Sequence, residues 1–214
     1  MNFLAHCVLP ELALPSAPTG LVVGGFLGDF LKGPVPEHLP AAISDGVRLH
    51  RRLDAFSNQH AAIRASCQRF PSSLRRIAPV FVDVLADHLL ATRFDQYSPE
   101  PLTTFTARTY ATLDAHRAHI PDHGQRFLRH AAAHDLFAAY AMPSTLAGAI
   151  ASVAHRLGRG EVGDAVLHTI AASRSELLQD FLDYFPDLVG HTGDWLTARG
   201  YTHDTHRNGS PNAG

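Results

Sequence analysis

Apolar positions recur along this chain at helical spacing, and no alternating pattern of useful length competes with them. The stretch at residues 20–32, GLVVGGFLGDFLK, is apolar nearly all round and is followed by Gly33, Pro34 and Pro36, as a buried helix with a stop would be. Pro40 opens a long helix to about residue 69, with Ile43, Val47, Leu49, Leu53, Phe56 and Ile63 as its apolar positions and Pro71 as punctuation. A third helix spans residues 73–95, with Pro79 as a kink or a restart. Further helices are predicted at 98–119, 121–140, 143–158, 164–185 and 187–199. The pattern predicts an all-α fold, a single helical domain of about seven or eight helices over residues 1–199, and a polar tail at 200–214 that is too poor in apolar residues to dock.

Composition narrows the function classes. The chain has 214 residues, 45% of them hydrophobic, enough for a real core. A formal net charge of -2 argues against non-specific nucleic-acid binding. The first fifteen residues lack the positive start of a secretory signal, and the apolar stretch that follows is too short to span a bilayer. Cys7 and Cys67 show no metal or redox spacing, which favours the cytoplasm. Lys32 is the one lysine among 18 cationic residues, so the positive charge is almost all guanidinium. Fifteen histidines are the larger oddity.

Candidate chemistry lies where charges interrupt apolar helices. His50 and Asp54 are four residues apart and share a face, fit for one metal or for a simple hydrogen-bonded pair. Asp83 and Asp87, with His88 beside the latter, sit within VFVDVLADHLL, where a carboxylate needs a metal or an arginine as partner. Asp29 and His6 raise the same question in GGFLGDFLKG and at the amino terminus. Acids plus imidazoles without a thiolate suit Mn, Mg or Fe better than zinc. Arg48, Arg51 and Arg52, with Arg64, Arg75 and Arg76 further along, offer a face for a phosphate or an acidic protein, or simply a solvated one. His116, His119, His123, His130 and His134 lie among exposed polar residues and read as surface.

The segments MNFLAH, GDFLKG, GVRLHRRLDAFSNQH and DVLADHLLATRF, in this order and spacing, resemble the acyl carrier protein phosphodiesterase family. The resemblance is strong over the first 95 residues or so, and beyond them rests mainly on FLDYFPDL. It implies a helical domain distantly related to the HD-type metal-dependent phosphohydrolases. It also implies hydrolysis of the phosphodiester that joins 4'-phosphopantetheine to a serine of holo acyl carrier protein, with manganese favoured and Mg or Fe as the other options. His6 and Asp29 fall on motif positions that look like the first histidine and the aspartate of an HD site. Gly28 stands where the dyad has its histidine, so another ligand must substitute, with His50 and Asp87 the first choices over Asp83 and His88.

On this reading a divalent metal is held by His6, Asp29, His50 and an aspartate of the third helix, Asp83 or Asp87. Asp54 or His88 serves as general acid, and Arg51 spreads charge on the phosphate. Arg48, Arg52, Arg75 and Arg76 dock the acidic carrier protein. The rival readings are a phosphohydrolase acting on a nucleotide or another small phosphodiester, and a non-catalytic helical module that binds a carrier protein.

Overall fold

The structure, a computed structural model, describes residues 3–202. The apolar stretch at residues 20–32 becomes α2 (Thr19–Leu27), which buries all but its first residue, as an all-round apolar helix must. It crosses α3 (Ala41–Gln59) more intimately than any other pair of elements touches. Glycine makes that approach possible. A Cβ at Gly24 would lie 2.2 Å from the Ile43 carbonyl oxygen, and one at Gly46 would lie 2.4 Å from that of Leu21. Any side chain at either position would force the two backbones apart.

Around this pair the remaining helices are α1 (Phe3–Ala13), α4 (Ala61–Gln68), α5 (Ala78–Ala91), α6 (Leu102–Ala115), α7 (Asp122–Ala133), α8 (Leu136–Ala139), α9 (Pro143–Arg156), α10 (Gly163–Ala172) and α11 (Arg174–Ala198). No strand occurs among the described residues. The all-α expectation therefore holds, but the described residues form 11 α-helices where about seven or eight were predicted. Three differences account for the excess. The amino-terminal segment is a helix, α1, although its pattern suggested none. The long second helix breaks at His60, whose backbone is extended (φ -70°, ψ 137°) and whose Nδ1 accepts a hydrogen bond from the Ala62 amide to start α4. The helix expected over residues 121–140 breaks at Asp135, which adopts a left-handed φ of 41°.

The last division lies elsewhere than predicted. Pro186 does not end a helix but sits inside α11, and the break falls at Ser173. Pro79 enters at the first turn of α5, where a missing amide proton costs nothing, and is not a kink. One apolar core joins the elements, with Phe26, Phe70, Phe81, Phe105, Phe137 and Phe185 fully buried. Within the described residues no helix is long and apolar enough to cross a membrane. Tyr201 donates from its hydroxyl to Asp45 at 3.1 Å, so the start of the expected tail is docked; from residue 203 on it lies outside the described residues.

Candidate metal centre

The first three helices converge on one cluster. α1 supplies His6, which is buried. α3 supplies His50 and, one turn on, Asp54, so the spacing of four does place both on one face. The His6 Nε2 lies 3.2 Å from one Asp54 oxygen and the His50 Nε2 lies 3.3 Å from the other. The two imidazoles stack, with centroids 3.7 Å apart. Among the described residues this is the one group of three or more histidine, cysteine or acidic side chains whose ligand atoms lie close enough together for one metal ion.

Gly28 is what gives His50 its room. A Cβ there would fall 2.1 Å from the His50 ring, so the imidazole from α3 occupies the place a side chain at position 28 would claim. The His50 Nδ1 donates to the Gly25 carbonyl at 2.8 Å. A carbonyl can only accept, so Nδ1 carries a proton, and Nε2 is the ring nitrogen that faces Asp54. A proton or a metal ion between Nε2 and the Asp54 oxygen, 3.3 Å apart, would complete this contact.

Electrostatics bear on the same contact. Burial, and after it the nearby His50, lower the His6 pKa to about 4, so His6 is neutral at pH 7. Burial alone would raise the Asp54 pKa, but hydrogen bonds to His50 and His6 hold the carboxyl well below the usual carboxylate range. Asp54 is therefore ionised at neutral pH, which argues against the general-acid role expected of it. Asp29, in the turn after α2, has one oxygen buried without a hydrogen-bond partner, and its charge acts on His6. Burial raises the Asp83 pKa, and the charges of Asp54 and Asp29 push it the same way. Imidazole nitrogen and carboxylate oxygen together make a donor set that fits a hard divalent cation. Asp54 is half-exposed and leaves the cluster open on one side, as a catalytic metal site requires.

Other predicted residues lie elsewhere. Asp87 is fully buried and its two oxygens accept the amides of Leu4 and Ala5, each at 3.0 Å, so it caps α1 and is a correction to the ligand set. His88 points its Nδ1 at the Tyr140 carbonyl, 2.7 Å away, and takes no part in the cluster. Arg51 is partly buried and donates to the Leu31 carbonyl at 2.9 Å, beside the turn that carries Asp29. Arg48 pairs with Asp45 at 3.1 Å, Arg52 donates to His191, Arg75 donates to the Phe70 and Gln68 carbonyls, and Arg76 is exposed. The histidines from His116 to His134 are exposed or partly so, apart from any metal-competent group.

A family model described as acyl carrier protein phosphodiesterase matches residues 1–188. Curated relatives of the same description include one from Salmonella dublin, 35% identical, and one from Escherichia coli O6:H1, 36% identical. A third, from Salmonella newport, is 34% identical. Each alignment runs over 129 residues, 60% of this chain, and spans 63% of the relative. No solved structure matches the chain.

Proposed function

Because the chain belongs to the acyl carrier protein phosphodiesterase family, we propose that it is a metal-dependent phosphodiesterase that removes 4'-phosphopantetheine from the serine of holo acyl carrier protein. The observation that carries this reading is the convergence of His6, His50 and Asp54, three ligand-competent side chains whose ligand atoms lie within 4.8 Å of one another. His6, His50 and Asp54 would hold the ion, with Asp29 and Asp83 as further carboxylates that interact electrostatically with them. A hard divalent cation bound there, manganese in preference to Mg or Fe, supplies polarisation of the phosphoryl oxygens and a water of lowered pKa.

The chain's own residues do the rest. The Gly25 carbonyl fixes the His50 tautomer and aims Nε2. Asp54, anionic throughout the neutral range, accepts a proton or a positive charge and does not donate one. Arg51 keeps guanidinium N–H groups beyond the one given to Leu31, and these serve a phosphate oxygen. Exposed Arg48, Arg52 and Arg76 and the neighbouring Arg75 form the docking face for an acidic carrier protein. A relation to HD-type enzymes would enter through His6 and Asp29, with His50 in the place a side chain at position 28 would take.

The test is mass spectrometry of holo carrier protein after incubation with the protein and Mn. Loss of the prosthetic group is expected, with Asp54→Asn and His50→Gln at least 100-fold slower and well folded by circular dichroism. Unchanged holo protein, or full activity in Asp54→Asn, would overturn the reading.

A further inference from the structure

A second concavity lies outside the metal centre. α5, α9, α10 and α11 enclose a cavity of about 580 Å³, within the size range of small-molecule sites. Its lining includes Leu85 and Leu89 of α5, each two residues from Asp87 and hence about 200° round the helix from the side that caps α1. None of His6, His50 and Asp54 lines the cavity, which is thus separate from that cluster.

The floor is apolar and buried: Leu89, Leu146 and Leu177 all line it. The rim is cationic. Arg93 and Arg174 line it, and both act electrostatically on the imidazole of His88, which lines it too. Among the described residues neither guanidinium has a carboxylate partner; Arg93 donates only to the Thr92 hydroxyl at 3.0 Å. His88 holds its ring by donating from Nδ1 to Tyr140 and leaves Nε2 as an acceptor. An apolar floor under two uncompensated guanidinium groups suits a ligand that is greasy at one end and anionic at the other.

We propose that this cavity binds a single-chain carboxylate of the fatty-acid type, with its alkyl chain on the leucine floor and its head on Arg93 and Arg174. The head takes the Arg N–H groups and the chain leaves water. Each methylene buried should tighten binding about fourfold.

Calorimetric titration with octanoate and decanoate, both below their aggregation limits, tests the proposal on the whole chain. Decanoate should bind roughly 15-fold more tightly than octanoate, and decanol should bind at least tenfold more weakly than decanoate. Arg93→Gln with Arg174→Gln should remove the preference for decanoate over decanol, and Ile170→Trp, which fills the cavity, should abolish binding. Asp54→Asn should bind decanoate as the wild type does, which separates this site from the phosphodiesterase reading. Equal affinity for octanoate and decanoate, or for decanol and decanoate, overturns the proposal in the wild type alone, whatever the variants do. So does loss of binding in Asp54→Asn, which would place the ligand at the metal centre.

Discussion

His50 and Gly28 share one seat. The pattern of apolar positions showed only that position 28 is glycine, and a glycine in a helical stretch reads as a packing concession. What it concedes space to is an imidazole that arrives from another helix, a contact that spacing along the chain does not encode. Gly28→Ala should therefore displace the His50 ring and weaken Mn binding at least tenfold, measured by calorimetry, while the helical circular dichroism stays as in wild type. The acids show the opposite limit. Apolar surroundings told correctly that Asp87 needs a partner, but its partners are two backbone amides 82 and 83 residues away, which no local motif marks. His6 makes a pH prediction for the metal-free protein. Its pKa is about 4 in the fold and near 6.5 in an unfolded chain, so between those values the unfolded chain takes up a proton that the native one refuses. Native stability therefore falls as pH falls through that window. Relative to His6→Gln, the EDTA-treated wild type should lose roughly 3 kcal/mol of unfolding free energy between pH 7 and pH 4. Urea titrations that show a constant difference would refute it.

At the scale of elements, legibility followed the presence of two unlike faces. α3 has one buried and one solvated side, and its apolar positions predicted it from Pro40 onward. α1 buries eight consecutive residues from Phe3 to Pro10, so it has no polar face to generate a period, and it carries a proline besides. It passed as an apolar segment without a structure. Pro186 misled in the other direction, because the packing of a 25-residue helix against its neighbours outweighs one lost hydrogen bond and a ring clash. His60 shows that a polar side chain can end one helix and begin the next by capping, and its Nε2 also reaches Asp187 of α11 at 3.1 Å. Asp87→Ala tests the cap of α1. Two buried amides lose their acceptor, and the unfolding free energy should drop by about 3 kcal/mol. The Mn affinity of the folded variant should stay within threefold of wild type; a loss comparable to that of His50→Gln would return Asp87 to the ligand set.

For the molecule as a whole, the net charge of -2 hides an uneven surface. Arg52 and Arg76 stand exposed without a carboxylate partner among the described residues, and Arg52 is held by His191, which stacks on Phe56. If this face docks an acidic carrier protein, the KM should rise about fivefold or more between 50 and 300 mM NaCl while kcat changes little. Arg52→Ala with Arg76→Ala should flatten that dependence, read in steady-state rates at the two salt levels; a KM indifferent to salt would remove the face from the docking surface.

The capping of α1 from α5 also bears on the order in which the molecule assembles. The half of the cluster made by Gly25, Gly28 and His50 closes within one short stretch of chain, between helices joined by a brief connection. The His6 half waits for α1, whose clamp comes from the far side of a loop of more than eighty residues. Local contacts form early and distant ones late. Asp87→Ala should thus leave the folding rate nearly untouched and express its cost almost wholly as faster unfolding, a φ-value near zero in a stopped-flow chevron.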